Sequence, residues 1–275
     1  MKRFYLYFAI IAFIASCSTD HSGAIQRLEN SRRYLASQEF DKAKAELDSL
    51  KKQYPKSFEQ RKAGMLLLDS IRKAENDFII ADMDTRLAEQ LAIIDKLKND
   101  FVFQKDEKYQ EVGVFIPKNM ANGVLSQTTL RVGVEEDGQI YLESIYIGGQ
   151  KHNQMVASSG EFVAETLTVE ADGLVHRFTN LGKSYEIIKF MGDAENNVIR
   201  FIAEHVNSNI KIQLKGQNTT SYILSKQLRE SVKKASEFSD QILLFESYNA
   251  KKEEATMKNF YLDNNKQLTV PIVEE

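Results

Sequence analysis

The chain has one cysteine, Cys17, among 275 residues. A single thiol excludes any disulfide within the chain, so the fold rests on its apolar core even in an oxidising compartment. Tryptophan is absent, which weakens any sugar-binding platform built on the largest aromatic ring. Proline and glycine are unevenly spread. No glycine lies between Gly64 and Gly113 and no proline between Pro55 and Pro117, a gap that favours long helix. Spaced catalytic sets are missing: there is no Gly-x-Ser-x-Gly elbow, no His-Glu-x-x-His and no Cys-x-x-Cys. Positive charge is also short. The formal net charge is −3, so the long-range field that attracts nucleic acid is lacking, and nucleic acid is excluded as a partner.

One long apolar run is present, FYLYFAIIAFIASC over residues 4–17, preceded by Lys2 and Arg3. A basic start before a short apolar run reads as a secretory signal and is too short for a stable membrane span. Ile14-Ala15-Ser16-Cys17 resembles the bacterial lipoprotein lipobox: an aliphatic residue, two small residues, then the thiol that serves as nucleophile. The resemblance implies a diacylglycerol thioether on Cys17, cleavage before it, and acylation of the new amine by a fatty acid such as palmitate. The plain alternatives are an ordinary cleaved signal beside a stray cysteine, or a signal-anchor. The lipoprotein reading makes residues 1–16 a signal peptide and 17–23 a lipidated tether. The lipid bilayer, reached through acylated Cys17, is then the first partner, since several acyl chains hold far better than one. Loss of Lys2 and Arg3 takes the formal charge from −3 to −5. In enteric lipoproteins an Asp after the cysteine favours the inner membrane, so by that resemblance Ser18 leans towards the outer membrane of a bacterial envelope. Which side of that membrane the chain faces is left open.

Residues 24–108 are helical by composition and period. Their first part, AIQRLENSRRYLASQEFDKAKAELDSLKKQYPKS, resembles one tetratricopeptide repeat. Tyr34, Ala43, Leu47 and Pro55 fall at the family's mutual spacings, and Phe40-Asp41 opens the second helix. Arg27, Asn30 and Ser31 depart from the aromatic, Leu and Gly of the family's first helix. Ala43 permits close helix approach, Leu47 fills the seam, and Pro55 stops the second helix. One repeat cannot bury its own face, so a capped helix pair or bundle is the alternative to a peptide-binding array. Ser57-Phe58-Glu59-Gln60 has the form of a capping box. Met65, Leu68, Ile71, Leu87, Leu91, Ile94, Leu97 and Phe101 continue a helical stripe. Whether 58–105 is one helix or two, broken near Asp82-Met83-Asp84, stays open.

Residues 109–218 change character. Eleven of the thirteen glycines lie here and the apolar period becomes two. Leu130, Val132 and Val134 alternate with polar or small neighbours, as do Ile210, Ile212 and Leu214, which marks strands with one buried face. Asp137-Gly138 and Asp172-Gly173 are hairpin signals. Further strands are expected near 112–116, 140–147, 153–158, 165–170, 185–191 and 197–206. Eight or nine strands with no intervening helix predict an antiparallel meander, as a curled sheet, sandwich or barrel. Residues 219–258 form a long amphipathic helix of coiled-coil type, with Leu224, Leu228, Val232, Ala235, Phe238, Ile242 and Phe245 on one stripe. Its economical partner is the stripe on 58–105, packed antiparallel, with the β region inserted between them. Residues 259–275 read as a loose tail. The fold class is α+β.

Candidate chemistry is sparse, and the sequence suggests no catalytic residue, no metal ligand and no cofactor. His152, His176 and His205 share no ligand spacing; His152 reads as a loop residue and His205 as half-buried on a strand beside Phe201 and Ala203. Glu161 and Glu165 with Asp172 read as solvated turn carboxylates rather than a glycosidase pair. Gly182-Lys183-Ser184 ends like a phosphate loop but precedes a strand, so it reads as a turn. Tyr141, Tyr146, Phe178 and Tyr185 read as core and cross-strand pairs before a ligand face. The leading expectation is a non-enzymatic structural or protein-interaction role with an envelope protein partner. The alternative is a ligand-binding module holding a hydrophobic molecule or glycan in the β region. A third, an envelope hydrolase, needs a polar cleft that the residues do not indicate. The whole chain resembles bacterial lipoproteins that join tetratricopeptide-like helices to a β domain, a likeness that transfers no function.

Overall fold

The computed structural model describes residues 21–108, 110–121, 126–149, 151–170 and 174–268. The class is α+β, with N-terminal helices, antiparallel sheets and a long C-terminal helix packed on an N-terminal one. The described residues form two compact units, 21–83 with 251–268 and the described part of 84–250.

The first unit begins with α1 (His21–Ala36) and α2 (Phe40–Gln53), an antiparallel pair joined through Gln38 at φ 57°. Ala24, Leu28 and Ser31 face Ala43, Leu47 and Leu50, all buried. Ala43 has no exposed surface because the backbones are close: Ser31 Oγ donates to the Ala43 carbonyl at 2.9 Å. Arg27 reaches Glu46 at 2.9 Å across the pair. The third helix, α3 (Phe58–Lys98), is continuous through Asp82-Met83-Asp84, which settles the question of one helix or two. Its first turns close the small core through Ile71, Ala63, Leu67 and Leu68. Lys44 of α2 binds Glu75 of α3 at 2.8 Å. The last helix, α6 (Lys226–Leu268), lies antiparallel against α3 here: Lys73 binds Asp263 at 2.6 Å and Asn76 Nδ2 donates to Asn259 Oδ1 at 2.9 Å. Helix therefore continues through 259–268, where a loose tail was expected; Asn259 and Asp263 are held by α3, and residues 269–275 lie outside the described residues.

The second unit carries two antiparallel sheets. One has the order β1 (Phe101–Gln104), β2 (Val114–Pro117), β3 (Thr129–Glu135), β4 (Ile140–Ile147), β8 (Lys183–Met191), β7 (Val175–Asn180). The other runs β10 (Thr220–Leu224), β9 (Ile210–Gly216), β5 (His152–Ser159), β6 (Phe162–Glu165). The inner face of the six-stranded sheet presents Leu130, Val132, Leu142, Ile188 and Phe190; the four-stranded sheet adds Met155, Ala157, Ile210, Ile212 and Leu214, and all join one core. Val232, Ala235, Phe238 and Ile242 of α6 and Ile94 of α3 complete it. Gln90 Nε2 donates to the Gln241 side chain at 2.7 Å and to its backbone carbonyl at 3.0 Å, tying α3 to α6 within this unit.

Several expectations are corrected. Among the described residues there are ten strands in two sheets rather than one meander, and helices do intervene. The short α4 (Lys118–Ala121) follows β2, and residues 198–204, expected as strand, form α5 (Val198–Glu204). Asn196 and Asn197 turn the chain at φ 51° and 62°, and the Glu195 carboxylate then accepts the amide N–H groups of Asn197 and Ile199. That cap starts a helix whose Val198, Ile199 and Ile202 are buried at helical spacing. Residues 166–170 are not strand, and β6 ends at Glu165. Phe101, placed on the helical stripe, opens β1 instead and stacks on Phe238 at 4.6 Å. Tyr222 and Leu224 belong to β10, before α6 begins.

Candidate functional site

Strand parity assembles a buried polar cluster in the second unit. Ser144 on β4 and Glu186 on β8 point to the inner face with Leu142 and Ile188. His152 opens β5 in the other sheet. Its Nδ1 lies 2.5 Å from Glu186 Oε2, and its backbone N–H donates to the same oxygen at 2.8 Å. Ser144 Oγ lies 2.5 Å from Nε2. Arg177 Nε donates to Glu186 Oε1 at 2.6 Å. A carboxylate only accepts, so the Nδ1 proton faces Glu186 and Nε2 accepts from the serine hydroxyl. Burial pushes the His152 imidazole below its usual pKa, against the raising effect of Glu186.

Serine, imidazole and carboxylate thus stand in the order of a nucleophile relay. A relay needs a nucleophile that substrate can reach, and Ser144 has 0% exposure in the middle of a strand. What the arrangement does here is clamp the start of β5 to the six-stranded sheet through a fully paired buried network. His152 is therefore a buried strand residue, not a loop residue. The pattern was hidden because its members are far apart in sequence and only the pleat brings them together.

The other histidines stand apart. His176 lies beside Phe178 at 5.3 Å on the opposite face of the sheet, and His205 caps the end of α5, with Nδ1 2.9 Å from the Phe201 carbonyl. His205 thus lies in no strand. Among the described residues no three His, Cys, Asp or Glu side chains gather as metal ligands. Glu161 is exposed in the β5–β6 turn, Glu165 pairs with Lys215 at 3.2 Å, and Asp172 lies outside the described residues. Tyr141, Tyr185 and Phe178 occupy the outer sheet face, and Tyr146 the inner one beside the His152 ring. Phe178 and Tyr185 stack at 4.8 Å, and the Tyr141 ring covers Gly133 and holds the Lys189 ammonium 3.9 Å from its centre. Lys183 follows the Leu181-Gly182 turn that joins β7 to β8.

In the first unit, Cys17 lies outside the described residues. Tyr34 is half-buried against the small core under Arg33 and Lys42, Leu47 is buried, and Pro55 sits exposed in the turn after α2. Between α2 and α3 runs an open groove of about 440 Å³. Leu47, Leu50, Gly64 and Leu68 form its floor and Met65 a wall, while Lys44, Lys51, Arg61 and Arg72 rim it against Asp48. Gly64 permits the groove: a Cβ there would stand 3.2 Å from Leu50 Cδ2, so a side chain at this position would fill the floor. The groove was not singled out in the sequence, although Met65 and Leu68 lie on the stripe read there. Its signal is the basic run flanking that stripe.

No protein-family model, no curated protein and no solved structure matches the chain.

Proposed function

We propose that the chain is a lipid-anchored protein of a bacterial envelope with a non-enzymatic interaction role, holding an amphipathic helix of an envelope partner in the α2–α3 groove. The lipobox-like end of the apolar run supports the anchor, with Cys17 as the acylated residue and Ser18 favouring the outer membrane. The groove is the observation that carries the interaction reading. Among the described residues the groove stays open, and Met65 is left 71% exposed on it. An apolar floor with Lys51 and Arg61 on its rim, beside Lys44 and Arg72 already paired with Glu75 and Asp69, favours a helix whose apolar stripe is flanked by Asp and Glu. Ligand binding inside the β unit is the weaker alternative, because Met155, Leu142, Ile188, Phe190, Ile210 and Ile212 fill the space such a ligand needs.

Two measurements test the two parts. Cells fed labelled fatty acid are expected to label the native chain and not the Cys17→Ser form, which leaves the membrane pellet; an unlabelled native chain removes the anchor. A photo-crosslinker at Met65 in the full chain is expected to capture an acidic amphipathic helix, identified by peptide sequencing, and to lose it with Lys51→Glu and Arg72→Glu. Equal capture from a crosslinker at Leu181, which is 95% exposed in the β7–β8 turn, overturns the groove.

A further inference from the structure

We infer that the corner joining α2 to α3, residues 51–66, rests on an anionic bilayer surface. Orientation towards the bilayer depends on the lipid-anchor reading above; the affinity of the corner does not.

Charge comes first. Residues 51–62, KKQYPKSFEQRK, carry Lys51, Lys52, Lys56, Arg61 and Lys62 against Glu59, with Lys52 paired to Asp48 at 2.5 Å, in a chain whose formal net charge is −3. Positive charge is therefore concentrated where the overall balance runs the other way. Apolar surface comes second. Phe58 is 72% exposed in the first turn of α3, with Met65 and Leu66 beyond it, also exposed. Phe58, Lys62, Met65 and Leu66 recur at i, i+4, i+7 and i+8, so they share one face, turned away from the Ala63, Leu67 and Ile71 contacts that close the core. An exposed Phe, Met and Leu among lysines is the composition of an interfacial helix end, not of a solvated one.

Continuity comes third. His21, the first residue of α1, places Nδ1 3.1 Å from the Ser57 hydroxyl, immediately before Phe58. Cys17 precedes His21 by four residues, at most ~14 Å of chain. An acyl chain on Cys17 would then enter the bilayer within reach of the Phe58 ring and the ammonium groups of the corner. One acyl chain alone binds marginally and a basic patch is an effective second signal. Lys51 and Arg61 also rim the end of the groove, so an acidic peptide is the competing occupant that the experiment has to separate.

The experiment uses the full chain with Cys17→Ser, which removes both the lipid and the sole native thiol. Phe58→Cys, Met65→Cys or Leu181→Cys then carries an environment-sensitive fluorophore. With vesicles of equal parts phosphatidylcholine and phosphatidylglycerol, emission from positions 58 and 65 is expected to shift to the blue and to be quenched by spin-labelled lipid. Position 181 is expected to do neither. Lys56→Gln and Lys62→Gln are each expected to weaken the response about fivefold, and salt to reverse it. Quenching at 181 equal to that at 58 overturns the proposal, because the leader would then hold the chain without orienting the corner. So does absence of quenching at 58, and so does a blue shift at 58, which lies outside the groove lining, produced by an acidic amphipathic peptide in place of vesicles. The fatty-acid labelling above fails independently of these signals, so loss of the anchor and loss of the corner are told apart.

Discussion

A buried imidazole is a stability device with a pH dependence fixed by its surroundings. His152 is held below its ordinary value of 6.5 by burial. The unfolded chain therefore binds its proton first as pH falls. The stabilisation from neutral His152 is complete above about pH 6.5, declines as pH drops below it, and is gone once pH lies under the lowered folded value. Urea midpoints for the β unit should fall between about pH 7 and about pH 5, and His152→Gln should flatten that slope. Glu186→Gln removes the shared acceptor of His152 and Arg177 and should cost ~3 kcal/mol, the low end for breaking a buried pair, because the Arg177 side chain is 38% exposed and can hydrate. The opposite sign is expected at Tyr222. Among the described residues its hydroxyl is buried without a hydrogen-bond partner, and burial raises its pKa. Tyr222→Phe should stabilise the fold by ~1 kcal/mol in chemical denaturation, and a loss of stability would mean the hydroxyl is satisfied in solution.

At the scale of elements, two turn glycines separate strain from crowding. Gly138 joins β3 to β4 at φ +88°, with its N–H donating to the Glu135 carbonyl at 2.9 Å. A Cβ there would meet Ile242, Leu243 and the Leu243 backbone at 3.0–3.1 Å, and Ser239 Oγ already donates to the Gly138 carbonyl at 2.6 Å. Gly160 has a similar positive φ of 61° with open space around it. Gly160→Ala should cost ~1 kcal/mol for the backbone alone, and Gly138→Ala ~3 kcal/mol, as read from melting or urea curves. Gly138 was legible from the sequence as a hairpin signal. So were the strands around Leu130 and Ile210, where strict alternation matches one wet face, and the pairing of α3 with α6, where each stripe lacked another partner. Residues 198–204 were not. VIRFIAE is apolar on both parities, and what decides for helix is the Glu195 carboxylate reaching forward past two residues of positive φ. The His152 network was illegible for a different reason: its partners lie on strands from two sheets, and spacing along the chain says nothing about which strands meet.

For the whole molecule, the two units differ in how much apolar surface supports them. The small helical core has Ala24, Leu28, Ala43, Leu47, Leu50 and Ile71 as its buried members, whereas the β unit's core draws on both sheets, on α3, α5 and α6. Protection against hydrogen exchange should follow this inequality, since local opening costs less where fewer contacts must break. Amides of α1 and α2 are expected to exchange faster than those of β4, β8 and β9. Leu50→Ala sharpens the comparison. Leu50 is 1% exposed, and deleting it should cost 2–5 kcal/mol, roughly the range for a buried leucine. That loss falls on the smaller core, so α1 and α2 should lose protection while β4 and β8 keep theirs. Because α3 and α6 contribute residues to both units, the opposite result has a definite meaning. Equal loss in α1 and in β8 would show that unfolding runs along the shared helices, and that the units share one cooperative transition despite their separate cores.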